Sequence, residues 1–148
     1  MSFNTSNDLL SYGETKYGVI AGVVFEQLCN PINRHYVWNA LAKGLGSGSN
    51  GVMVSVGRDI SDDYEDYDTP IEAYGFVRFS MSWEDDMEER MPYFEFIEYL
   101  KDAHRVYSQM CPEEEAKSKA DLDRAIAEIT KLQKAHEKWK RRNKPLTS

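Results

Sequence analysis

Only two cysteines, three histidines and five prolines occur among the 148 residues, and no apolar run approaches the roughly 20 residues that cross a bilayer. Each scarcity excludes a class of protein. Cys29 and Cys111 could in principle pair, but a cytosolic setting keeps thiols reduced. Neither has a Cys or His neighbour at metal-ligand spacing, so both are expected as reduced, buried thiols. His35, His104 and His136 form no His-Glu-x-x-His pair, and His104 and His136 fall on apolar helical stripes, where packing is the expected role. No Gly-x-Ser-x-Gly elbow presents a nucleophile. The expectation is a protein that is not an enzyme and holds no cofactor and no metal. The opening MSFNTSNDLLSYGETKYG lacks a basic start, an apolar core and a small-residue cleavage site, so a cytoplasmic protein without a membrane partner is expected.

What the chain has in excess is negative charge, unevenly placed. Between Asp59 and Glu98 stand fourteen carboxylates against two cations, Arg78 and Arg90, a net of −12 in forty residues, while the rest of the chain holds 11 acids and 16 bases. Such a block costs folding stability through self-repulsion, and its field attracts and steers basic partners. Tyr64, Tyr67, Tyr74, Trp83 and Tyr93 are interleaved with the acids, and aromatic side chains of this kind anchor protein interfaces. The partner-binding residues expected from the pattern are Asp62, Asp63, Tyr64, Glu65, Asp66, Tyr67 and Asp68 in one run and Trp83, Glu84, Asp85 and Asp86 in a second.

Size and hydrophobic content, 41%, suit a single α+β domain over residues 1–148. N-terminal helices are expected over residues 1–45, strands with an acidic loop over 51–81 and a helical hairpin over 92–142. From Lys16 to Leu28, Val19, Ile20, Val23, Val24 and Leu28 recur at helical spacing, with a buried strand as the rival reading of VIAGVVF. Pro31 then opens a second helix with Ile32, Tyr36, Val37, Ala40 and Leu41 on its buried side. Strands are expected from Val52 to Val56 and from Glu72 to Met81. The acidic block reads as a loop, two strand flanks and a second loop after Trp83, shown together at one end of a small antiparallel sheet.

Pro92 starts the first helix of the hairpin, in which Ile97, Leu100, His104, Tyr107 and Cys111 share a stripe, and Cys111-Pro112 ends it. The last helix opens with Glu113-Glu114-Glu115 and closes with Lys138, Lys140, Arg141 and Arg142, acids at the positive end of its dipole and bases at the negative end. Glu113 and Lys117, Glu115 and Lys119, and Glu137 and Arg141 are spaced for ion pairs. The inward seam is Leu122, Ala125, Ile129, Leu132, His136 and Trp139. About thirty helical residues reach roughly 45 Å, so one end is expected to project or to dock on a partner.

Other chemistries fit poorly. The glycine run at residues 44 to 51 is followed by a strand with no Lys-Ser/Thr pair, which argues against a phosphate loop. Asp62 to Asp68 lacks the glycine and the terminal acid of a calcium loop. The basic cluster from Lys138 to Lys144 suits nucleic acid in charge, yet the acidic block repels the same phosphates, so no nucleic-acid partner is expected.

An acidic, aromatic-bearing surface suits an inhibitor of a basic nucleic-acid-handling protein, because a nuclease carries Lys and Arg to hold phosphates. In size, acidity and plan the chain resembles the immunity proteins of bacterial contact-dependent growth inhibition and related polymorphic toxin systems. The residues that carry the resemblance are Tyr17-Gly18-Val19-Ile20-Ala21-Gly22-Val23-Val24-Phe25-Glu26, Gly51-Val52-Met53-Val54-Ser55-Val56 and the acidic stretch ending in Tyr74-Gly75-Phe76. It implies tight, stoichiometric neutralisation in the cytoplasm of one cognate toxin, often a nuclease. Two alternatives share parts of the pattern: a phage or plasmid nucleic-acid mimic that blocks a host defence enzyme, and a helical adaptor or oligomerisation module in which the hairpin is the working part. A toxin gene immediately upstream distinguishes the first reading from the mimic. The oligomeric state is left open.

Overall fold

The structure, a computed structural model, describes residue 3 and residues 5–49, 51–57, 69–81 and 84–143, with backbone only at 48, 49 and 84–86. Among the described residues five α-helices pack with an antiparallel sheet, the expected α+β class: α1 Ser6–Tyr17, α2 Val19–Cys29, α3 Arg34–Ala42, α4 Tyr93–Met110 and α5 Glu115–Arg142. Strands β2 Val52–Ser55, β3 Phe76–Met81 and β4 Glu84–Pro92 form a three-stranded meander, to which the three-residue β1 Ser47–Ser49 adds a short edge. Among the described residues no helix is long and apolar enough to cross a membrane.

The apolar stretch after Lys16 is helical, as expected, but a helix precedes it that the apolar spacing does not show. Thr5 caps α1: its Oγ1 accepts from Asp8 N–H at 3.2 Å while the Asp8 carboxylate accepts from Thr5 N–H at 3.1 Å. Gly18, at φ +115°, breaks the chain between α1 and α2. The two helices then cross at Gly13 and Gly22, where a Cβ on Gly22 would stand 2.5 Å from the Glu14 backbone nitrogen. Alanine normally gains about 1 kcal/mol over glycine inside a helix. Here the obstruction is backbone, which cannot rotate away, so Gly22→Ala is expected to give a net loss of about 1–3 kcal/mol in urea unfolding. A raised urea midpoint for that variant would show that the helices part freely.

At α3 the expected facing is wrong in part. Ile32 is 77% and Tyr36 67% exposed, while Val37, Trp38 and Leu41 are buried with Arg34. The helix starts at Arg34, not at Pro31, because residues 30–33 form a turn in which the Asn30 Oδ1 accepts from Ile32 N–H. The later start rotates the buried face onto the Trp38 side, and the Trp38 indole N–H donates to the Leu28 carbonyl at 3.1 Å.

Residues 71–73 form a 3-10 turn before β3, where a strand was expected from Glu72. A larger correction concerns the segment after Trp83, expected as a loop, which is strand β4. It pairs with β3 through Val77↔Met91, Arg78↔Arg90 and Phe79↔Glu89. No β-branched residue occurs in EDDMEERMP, so the strand exists through its pairing rather than its propensity. As an edge strand its charges also protect the sheet from pairing with other chains.

Val52, Val54, Val77, Phe79 and Met91 are buried, and helices α2 and α4 lie against the sheet. An aromatic cluster joins the layers: Phe79, Phe96, Phe25 and Tyr17 have ring centroids 4.8–5.7 Å from that of Tyr99. The Tyr99 hydroxyl donates to the Ala21 carbonyl at 2.8 Å. Of the stripe expected on α4, Leu100 and Tyr107 are buried, but Ile97, His104 and Cys111 are only half-buried. The face that packs is centred on Phe96, Tyr99, Ala103 and Val106.

The C-terminal hairpin forms as expected, α4 against α5, with Leu122, Ala125 and Ile129 buried. Its surface pairs differ from those the spacing indicates, with Lys119 on Asp123 at 2.6 Å and Lys131 on Glu128 at 2.9 Å. Past Leu132 the helix does not simply project. His136 Nδ1 lies 2.8 Å from the Glu72 carbonyl, its ring packs on Gly75, and Trp139 stacks at 6.3 Å on His136. His104 is likewise engaged, with Nδ1 2.8 Å from Ser118 Oγ, and Cys29 and Cys111 are free thiols, buried and half-buried respectively.

Candidate functional site

Chain leaves the sheet after β2 at Gly57 and returns at Thr69, at the end where β3 begins, whereas residues 82 and 83 connect the opposite end of β3 to β4. Six strand residues, roughly 17–20 Å, separate the two connections. Asp62, Asp63, Tyr64, Glu65, Asp66, Tyr67, Asp68 and Trp83 lie outside the described residues, and for Glu84, Asp85 and Asp86 only the strand backbone is described.

Strand β4 runs between the two ends, and the acids along it have unequal fates. Glu89 faces the helices: its Oε1 accepts from Ala21 N–H at 2.9 Å and its Oε2 from Ile20 N–H at 3.3 Å, so it neutralises the positive end of α2. This carboxylate is committed to the fold. Glu88 pairs with Arg90 at 2.5 Å, and the Arg90 guanidinium lies 4.4 Å over the Phe76 ring. Glu98 pairs with Lys101 at 3.2 Å but stays 71% exposed at its side chain, and Glu95 is exposed.

Two aromatic residues expected as interface anchors belong to the core instead. Tyr74 and Tyr93 are buried, the Tyr93 hydroxyl donating to the Tyr74 carbonyl at 2.9 Å. Burial raises the Tyr93 hydroxyl to a pKa of about 12. The exposed apolar side chains near β4 are Met87, at 41%, and Phe94, at 60%. Phe94 was legible in principle: with Tyr93, Phe96, Ile97 and Leu100 defining the buried stripe, position 94 points away from it.

Phe94 opens onto a cleft of about 580 Å³ shared with Met91, Lys16, Tyr17, Lys101 and Arg105. At its base the buried Asp102 carboxylate joins α4 to α1. It accepts from the Tyr17 hydroxyl at 2.6 Å, the Tyr12 hydroxyl at 2.7 Å, Lys16 Nζ at 3.1 Å and Arg105 Nη2 at 2.6 Å. Burial alone would raise its pKa, but the hydrogen bonds from Tyr17, Tyr12, Arg105 and Lys16 outweigh it and hold the group down at about 2. Every acceptor position of Asp102 is in use, so this carboxylate is structural rather than available for proton transfer.

The basic remainder of the chain is partly self-paired. Among the described residues, six of the eight ion pairs use acids outside residues 59–98, namely Asp102, Asp121, Asp123 and Glu128. Only Glu88 and Glu98 of the acidic stretch take part in the other two. Among the described residues no group of three His, Cys, Asp or Glu side chains is placed to hold a metal. Comparison with protein-family models, with curated proteins and with solved structures finds no match.

Proposed function

We propose that this chain is an immunity protein, a stoichiometric inhibitor of a cognate toxin with a basic nuclease domain, acting in the cytoplasm. The observation that carries the reading is the −12 charge of residues 59–98. Charge of this density in one stretch opposes folding and is useful only toward a cationic partner. The resemblance to contact-dependent growth inhibition immunity proteins points the same way. The proposed binding surface comprises the 62–68 run, the 83–86 run, the exposed Met87 on edge strand β4 and the exposed Phe94 in the first turn of α4.

The test is affinity purification from the native cells, identification of the co-eluting protein and kinetic measurement with the purified pair. A basic nuclease inhibited at one-to-one stoichiometry is the expected result, with association slowing steeply as salt rises and dissociation changing little. Tyr67→Ala or Tyr64→Ala should weaken the complex by about 2 kcal/mol and Asp62→Ala by far less, since central aromatics outweigh rim charges. An on-rate flat across ionic strength, or a partner without a basic surface, would count decisively against the reading.

A further inference from the structure

On the far side of the hairpin, helices α3, α4 and α5 enclose a second cavity of about 450 Å³ whose charge is opposite in sign to the acidic stretch. Three cations line it, Arg34, Lys117 and Arg124, against two acids, Glu114 and Asp121, with the His35 ring and Asn39 amide as further polar groups. Arg34 is the unusual member. It is 4% exposed, its guanidinium stacked 4.1 Å over the Tyr107 ring, with Nη1 donating to Asp121 at 3.3 Å and Nη2 to Ser118 Oγ at 3.2 Å. Its Nε–H, also buried, has no hydrogen-bond partner. A buried charged donor left unpaired is costly.

Asp121 fixes the geometry. Its Oδ2 holds Arg34 and its Oδ1 accepts from Arg124 Nη2 at 2.6 Å, so one carboxylate orients two guanidiniums at the same cavity and leaves the lining with a surplus positive charge. Planar guanidiniums held in place, with a lysine beside them, are the side chains that recognise phosphate.

We propose that this cavity is a binding site for the phosphate group of a small organic phosphate ester, separate from the partner surface and independent of the immunity reading. The probes are inorganic phosphate, adenosine 5′-monophosphate, adenosine and a short single-stranded oligonucleotide, each titrated calorimetrically into the whole protein at fixed ionic strength. Adenosine 5′-monophosphate and phosphate should bind and adenosine should not, with the ester tighter than the free ion. Lys117→Glu reverses an exposed charge on the cavity rim and should weaken phosphate binding about tenfold or more, while Lys134→Glu, exposed on the same helix outside the cavity, should leave it unchanged. Circular dichroism of both variants establishes that they fold. No heat from either phosphate, equal weakening by both variants, or binding of the oligonucleotide alone would each overturn the proposal.

Discussion

Replacing Ile129 by aspartate is expected to cost about 4 kcal/mol or more and to leave the protein largely unfolded at 37 °C. Ile129 has no exposed surface, and it sits in the middle of the seam by which α5 packs on the remainder of the fold. The substitution removes about 2–3 kcal/mol of apolar burial and places an unpaired carboxyl where no partner is available. Whether that group ionises or raises its pKa to stay neutral, the free energy is drawn from a net stability of roughly 5–15 kcal/mol. Urea unfolding followed by circular dichroism reads the effect directly. Lys134→Asp, exposed on the same helix, is the control and should move the midpoint little. Equal shifts for the two variants would mean that α5 is held by something other than its seam.

The second large effect is electrostatic and carries a pH signature. Asp102→Asn keeps the shape of the side chain but removes the charge that Tyr17, Tyr12, Lys16 and Arg105 converge on. A carboxylate lowered from 3.8 to about 2 contributes about 2 kcal/mol of stability at neutral pH. The sign follows from the protons bound. The native state keeps Asp102 ionised below the pH at which the unfolded chain protonates it, so its contribution is complete above about 3.8 and is lost as pH falls toward 2. The gap between the natural protein and Asp102→Asn should therefore be widest near neutrality and close between pH 4 and 2. A gap independent of pH would show that lost packing or hydrogen-bond geometry, not charge, accounts for the variant.

Elements with a strong period were legible in the sequence, and those made by pairing were not. Leu122, Ala125 and Ile129 recur at helical spacing and are buried, and the β-branched run Val52 to Val56 supplies strand β2. Strand β4 has the composition of a loop and becomes a strand because β3 offers it a partner. Helix α1 was missed for a different reason: it buries only Leu9 and Gly13, too little for a periodic signal. Its Thr5-to-Asp8 capping box was nonetheless on view. The charge of the candidate surface is a matter of composition and was fully readable. The withdrawal of Tyr74 and Tyr93 into the core depends on tertiary packing, which no local pattern encodes.

Glu89 ties the start of α2 to a residue sixty-eight positions further along the chain. Most helices carry their own start signal in the residue just before them, but Gly18 has no side chain to offer, and the amides of Ile20 and Ala21 find their acceptor only on β4. The first turn of α2 is thus a long-range contact in the form of a local one. An isolated peptide covering α1 and α2 would have a capped first helix and an unfinished second. In the whole chain, α2 cannot complete its N-terminus before the last strand has docked, which puts the closure of the sheet and the ordering of the central helix into a single cooperative step. One of the fourteen acids that give the chain its charge thereby belongs to folding rather than to recognition.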